Sequence, residues 1–424
     1  QIMFRKTGFL RAFGVLGLLW MTGTCPVFGA GRMMLRGHVP SVVTQLASQG
    51  RLPDTNLLHL TFSLPLRNQP ELDEFLRELQ DPASPNFHKY LTPQEFTARF
   101  GPMPADYDTL LEFVRTNGFQ VTGTHPNRAL VDVTGTAATV ERVFAVTLRK
   151  YRHPKEARNF YAPDTDPSVV SPVPLLNVAG LDNYSLPHPN LKPQPNAVAA
   201  ATPPAGSGPG GSYRGNDFRN AYVPGTALTG AGQSVGLLQF DGYYSNDIAS
   251  YISQSGINTS VSLVNVPVNG GVSMPSAGMV EVALDIEMAI AMAPGLSKIY
   301  VYEAPNASTA WSTILSKMAN DNLAKQLSCS WGGGSHDSAS EQIFKQMAAQ
   351  GQSFFNASGD DDAFTGSVPF PSDSTNITQV GGTTLSMSGG SYASETTWNW
   401  GGGQGSGGGV STYYTIPNWQ ANLS

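Results

Sequence analysis

Two acids four positions apart, Glu281 and Asp285, sit inside the apolar stretch GMVEVALDIEMAIAMAPG at residues 278–295. On a helix this spacing brings both side chains onto one face, where like charges cost about 0.2–0.5 kcal/mol. A helix apolar on nearly every side is usually buried, and a buried carboxylate must be paired, hydrogen-bonded or protonated. Two readings follow. Either the acids answer the positive end of the helix macrodipole, or they form a catalytic carboxylate pair. A third acid, Asp360 in FFNASGDDDAF, comes directly after a strand-like run. Its bland alternatives are a solvated acidic turn or a calcium loop.

Other chemistries lack their residues. Of seven histidines, His38, His59, His88, His125, His153 and His188 lie early, and only His336 lies later, in the loop GGGSHDSAS, where a solvated side chain is the simpler reading. A Ser-His-Asp hydrolase in the second half would have to use it. One later histidine and one later cysteine have no paired-ligand spacing for zinc. Cys329 lies inside the apolar strand pattern KQLSCSW and reads as a packing residue. No GxGxxG or GxxxxGK[ST] opens a helix after a strand, so nucleotide binding has no support. Carboxyl groups remain, and three of them without a histidine base suggest hydrolysis run by carboxyls.

The elements that must position these acids alternate strictly. Strand patterns occur at 234–240, 260–268, 296–304, 325–331 and 352–358, and helical patterns at about 245–254, 279–293, 309–322 and 338–350. Such alternation predicts a parallel, doubly wound α/β sheet, whose ligands bind at the carboxyl ends of the strands. The loops GYYS, GGGSHD and GDDDAF leave at that edge and are expected to converge. Residues 39 to about 185 read differently, as a small α+β unit with helices at 71–80, 106–119 and about 136–146 and a strand at 129–135. Between the two halves, SLPHPNLKPQPNAVAAATPPAGSGPGG at 185–211 has no periodicity and reads as an exposed, protease-sensitive linker.

With 424 residues, 13% of them charged, and 45 Gly and 31 Pro without a collagen period, the chain reads as globular and loop-rich, with two or three domains and no nucleic-acid signature. The net charge of −6 divides into +3 for residues 1–206 and −9 for 207–424. That asymmetry, with the basic segment LRKYRHPKEAR at 148–158, suggests attraction between the halves that fades as carboxylates protonate. From Met3, a basic stretch, an apolar run of about ten residues and small residues near Ala30 read as a secretory signal peptide. With Cys25 in that peptide, Cys329 has no disulfide partner.

Several of these stretches together resemble the sedolisin family, serine-carboxyl peptidases with a subtilisin-like fold. LQDPASPNFHKYLTPQEFTARFGP (79–102) and GTAATVERVFAVTL (135–148) resemble its kumamolisin-like activation domain. EVALDIEMAIAMAP, LSCSWG, NASGD, VGGTTL and GGGVSTYYTIPNWQ follow in family order. The resemblance implies a ferredoxin-like α+β prodomain before a subtilisin-like catalytic domain. It implies Glu281 as general base, Asp285 as its orienting partner and Asp360 as the oxyanion-hole acid, with Ser330, Trp331 and Gly332 lining the substrate cleft. The implied organisation is a signal peptide over 1–30, prodomain 31–185, linker 186–211 and peptidase domain 212–424, in a secreted, acid-acting, monomeric zymogen whose partners are peptide substrates and its own prodomain. Two departures stand out. Asp362 occupies a position where the family usually has glycine, and the GTS-like nucleophile segment is not found before Ser424. The expectation is therefore a chain inactive alone, with the family's calcium ligands beyond residue 424; the rival is a non-catalytic binding module of the same fold.

Overall fold

The computed structural model describes residues 31–192, 206–334, 336–417 and 420–421. The signal-peptide reading of 1–30 lies outside the described residues. The chain divides into Gln1–Gly31 and one compact unit, Arg32–Ser424.

Its first half begins with strand β1 (Leu57–Ser63), helices α1 (Gln69–Gln80), α2 (Pro93–Phe100) and α3 (Pro104–Thr116), and strands β2 (Gln120–Thr124) and β3 (Leu130–Thr136). Helix α4 (Ala137–Phe144), a hairpin over 148–163 and strand β4 (Asn177–Ala179) follow. The sheet order is β2-β3-β1-β4 with every pair antiparallel, a split βαβ arrangement of the ferredoxin-like kind. Local sequence explains the helix starts. Thr92 and Glu95 form a reciprocal capping box around Pro93, and Thr136 caps α4 through the Thr139 N–H. Phe62, Leu110, Val131, Val140 and Phe144 close the core under the sheet.

The second half begins with helix α5 (Asn216–Tyr222) and continues through β6 (Ser234–Gln239), α6 (Ser245–Gln254), β7 (Ser262–Pro267), α7 (Met279–Met292), β8 (Lys298–Glu303) and α8 (Ala310–Asp321). Then come β9 (Gln326–Cys329), β10 (Trp331–Gly332), α9 (Ser338–Ala349), β11 (Ser353–Ala357), β12 (Asp361–Ala363), β13 (Thr378–Val380) and, after a further hairpin, β14 (Gln404–Gly408). Strands pair in the order β7-β8-β6-β9-β11-β13, all parallel. Apolar runs such as SVGLLQ suit strands buried on both faces, and Leu237, Leu238, Ile299, Val301 and Leu327 are buried here. Helix α6 packs on α7, and α8 on α9.

Four expectations change. Helix α7 is not covered all round: Val280 and Leu284 are 53% and 37% exposed, and no described element seals that face. The strand expected over 325–331 stops at Cys329, and Trp331–Gly332 pair instead with His188–Pro189, strand β5. The start of the supposed exposed linker is therefore a β-paired segment, because the Gly-rich stretch after Trp331 lets another main chain come close. The basic segment 148–158 does not reach the second half either. Arg149 pairs with Asp164 and Arg158 with Glu156, all within the first half.

What joins the halves is mostly neutral. The Leu66 N–H donates to Gln342 Oε1 at 2.6 Å, Asn127 Nδ2 to Gln346 Oε1 at 2.9 Å, and the Leu91 N–H to the Ala349 carbonyl at 2.9 Å. Asp337, which caps α9, also accepts from Asn177 Nδ2 at 3.0 Å. Ala349 joins Leu72, Phe75, Phe96 and Phe100 in one apolar cluster. The charged Lys345–Asp73 contact at 2.6 Å runs opposite to the expected polarity, its base in the second half.

Candidate active site

Glu281 and Asp285 lie on the first turns of α7, and the chain leading into that helix is held from strand β6. Just past the strand, buried Asp241 accepts from the Ser276 and Gly278 N–H groups at 2.9 and 2.8 Å and from Ser276 Oγ at 2.6 Å. It satisfies donors at a helix entry that has no capping side chain of its own. Gly278 is needed there, since a Cβ would lie 2.6 Å from the Trp331 ring.

Both acids find the environment that their spacing demanded. Asp285 accepts from Ser330 Oγ at 2.6 Å and from Gln239 Nε2 at 2.7 Å, and Gln239 Oε1 accepts from the Trp331 indole at 2.7 Å. Burial pushes Asp285 up to about 6 against these two donors. Glu281 is 3% exposed, its Oε2 has no partner, and no described side chain hydrogen-bonds to it. Burial first, then the charges of Asp285 and Asp360, push Glu281 up to about 8. The macrodipole reading alone does not account for an acceptor buried without a donor. Asp360 follows β11 at the same sheet edge. Burial raises it to about 6, partly offset by the charge and main-chain N–H of Lys192, while Asp361 adds to the rise.

Asp362 resolves the departure from the family pattern. Its φ is +60°, in the left-handed region where glycine is the default and Asp is among the few tolerated side chains. The acidic loop is anchored on β14 by the Gly405 N–H to the Asp360 carbonyl at 3.2 Å and the Gly407 N–H to the Gly359 carbonyl at 2.7 Å.

Ser330, Trp331 and Gly332 face a segment of the chain itself. Strand β5 lies antiparallel on β10, with Trp331 opposite Pro189 and Gly332 opposite His188, and the Asn190 N–H donates to the Ser330 carbonyl at 3.1 Å. Gly333, at φ +85°, passes so close to His188 that a Cβ would lie 2.7 Å from the imidazole.

His336 stays outside. Its ring stacks on Tyr413 with centroids 4.1 Å apart, and Nε2 lies 3.7 Å from buried Asp373, so it is packed rather than solvated. Ser411 Oγ donates to that same Asp373 at 2.6 Å and not to the histidine, an order in which no histidine can activate the serine. Buried Cys329 holds its thiol proton well above the usual range, as befits a packing residue. Sequence reasoning missed Gln239 and Asp241. The signal available was a polar residue closing an apolar strand run at the ligand edge, in LLQFD.

A parallel α/β sheet carries buried carboxyls at its strand ends, with an extended segment of the same chain paired beside them. The family described as Pro-kumamolisin, activation domain, matches residues 44–184. Sedolisin of Pseudomonas sp. (strain 101) is 30% identical over 86% of this chain and 67% of its own length. Kumamolisin of Bacillus sp. (strain MN-32) is 28% identical over 92% and 74%, and xanthomonalisin of Xanthomonas sp. (strain T-22) 29% identical over 87% and 52%. A solved Pseudomonas sedolisin (serine-carboxyl proteinase), complexed with pseudo-iodotyrostatin, aligns with a TM-score of 0.44 at 26% identity over 50% of this chain and 66% of that one. The chain belongs to the sedolisin family of serine-carboxyl peptidases and carries the family's activation prodomain. It spans between about half and three quarters of the lengths of these curated relatives.

Proposed function

We propose that the chain is the precursor of a secreted serine-type endopeptidase that works in acid, with Glu281 as general base, Asp285 as its partner and Asp360 as the oxyanion acid. The observation that carries this is the course of segment 188–192. It is bonded at Asn190 to Ser330, whose hydroxyl holds Asp285, and two residues later it meets Asp360. A main chain is thus held from the Ser330 carbonyl to Asp360, and in this reading it is the precursor's own segment lying where a substrate would.

The proton on Asp360 supports acid action, while Glu281 acts as base only once its burial is relieved. A carboxyl donates to a developing oxyanion only when protonated, and Asp360 holds its proton below about pH 6. With the segment in place, the donors on Asp285 favour its anion, so the proton shared by the pair rests on Glu281. Base action requires that proton to pass to Asp285, the two titrating as one coupled unit. Departure of the segment would admit water to Glu281, which eases its ionisation. It would also take the Lys192 charge from Asp360, which favours its protonation.

Secretion rests on the basic-then-apolar N-terminal sequence; no helix among the described residues is long and apolar enough to cross a membrane. Among the described residues no group of three His, Cys, Asp or Glu side chains could hold a calcium ion. No hydroxyl among the described residues bonds Glu281, and a carboxylate base needs a nucleophile to activate. Residues 1–424 alone are therefore expected to be inactive, which also favours the rival reading of a non-catalytic binding module. The test is peptide-library hydrolysis by the product of the complete open reading frame, assayed from pH 3 to 7. Acid turnover lost in Glu281→Gln supports the peptidase, and a folded product without turnover supports the binding module.

A further inference from the structure

The acidic turn after β11 carries a carboxylate that the proposed chemistry does not use. Asp361 lies in β12, in register with Gly405 of β14, so its backbone is anchored while its side chain is 56% exposed. Its Oδ1 lies 2.7 Å from the Lys192 ammonium, which is 33% exposed. Lys192 stands two residues beyond Asn190, whose N–H the Ser330 carbonyl holds. The peptide bonds flanking Leu191 therefore lie between the contacts to Ser330 and to Asp360, and the Asp361 carboxylate meets the side chain just past them.

We infer that Asp361 is a specificity-determining residue: it selects, in any peptide bound in this cleft, a basic side chain two residues beyond the one hydrogen-bonded to Ser330. This rests on the peptide-cleft reading above and gives that cleft a substrate class, chains with Lys or Arg at that place. The physical reason is simple. The turn carries three consecutive acids, Asp360, Asp361 and Asp362, of which Asp361 makes the ion pair to the seated segment. A glutamate at that place would meet repulsion where lysine meets attraction. A half-exposed pair sets the scale at about three- to fivefold in affinity.

The test uses the 424-residue chain with residues 188–192 replaced by Gly and Ser, which removes the resident segment from the Trp331–Gly332 edge, and fluorescent heptapeptides copying residues 186–192 (LPHPNL followed by Lys, Ala or Glu). Anisotropy titration is expected to rank them Lys over Ala over Glu, with about threefold or more between neighbours. Adding Asp361→Lys, a change at an exposed side chain, is expected to reverse the order. Equal affinities, an order unmoved by Asp361→Lys, or no binding of any peptide would overturn the inference. Only binding is read. Binding with this preference, together with a complete gene product that never hydrolyses peptides, would defeat the peptidase reading alone, and affinities blind to Asp361 would defeat this inference alone.

Discussion

At the scale of single residues, the site is a set of carboxyls held where protonation is favoured. In the complete gene product, Glu281→Gln, Asp285→Asn and Asp360→Asn are each expected to lower the chemical rate by about a hundredfold or more while the fold persists. His336→Ala is expected to change it little, and single-turnover kinetics with circular dichroism on each variant checks both. The same acids shape stability. Glu281 moves from 4.5 to about 8 on folding and Asp285 from 3.8 to about 6. Raised carboxyls stabilise the fold fully below their unfolded values, and that contribution is lost as pH rises through the folded ones. The chain should accordingly melt several degrees higher at pH 4.5 than at pH 8, with Glu281 alone responsible for a few kcal/mol. Glu281→Gln should flatten the dependence in a melting series, and an unchanged slope would mean that Glu281 is not buried as described.

At the scale of elements, strand ends and one loop conformation carry the site. Helix α7 is entered under the control of Asp241 on the β6 side, and Gln239 ties the same strand to Trp331 and Asp285. The turn after Asp360 depends on Asp362 at φ +60°. Asp362→Gly is expected to be close to neutral, since glycine adopts this conformation freely, whereas Asp362→Val should cost about 1–2 kcal/mol. Chemical denaturation of the two variants checks the difference; equal stabilities would show that the left-handed turn imposes no constraint. Gly333 is a similar case, where the close pass of His188 leaves no room for a side chain.

At the scale of the whole molecule, the prodomain is held by an apolar cluster and neutral hydrogen bonds rather than by the charge difference between the halves. After a specific protease site is inserted within 193–205 and cut, the two pieces should co-elute at pH 7. From pH 7 to pH 4 their affinity should fall by no more than about thirtyfold, the most that the ion pairs Lys345–Asp73 and Lys192–Asp361 would supply at roughly 1 kcal/mol each. Gln346→Ala, which strands Asn127 in a buried interface, should weaken association by about 1–3 kcal/mol. Calorimetry across the pH range measures both, and a thousandfold loss in acid would restore the electrostatic account.

The sequence alone determined the alternation of strands and helices, since hydrophobic period and turn residues are local properties, and β6, α6, α7, α8, α9 and β11 lie within a residue or two of their expected positions. It also singled out Glu281, Asp285 and Asp360, because charge inside an apolar pattern is visible without a fold. Tertiary structure decided what those acids touch. Gln239 and Asp241 act across 35 or more residues of chain, and Ser330 reaches Asp285 across 45. Only the fold could turn a Pro-rich stretch that reads as open linker into strand β5, because its pairing partner, Trp331–Gly332, lies more than a hundred residues away and no local propensity encodes that meeting.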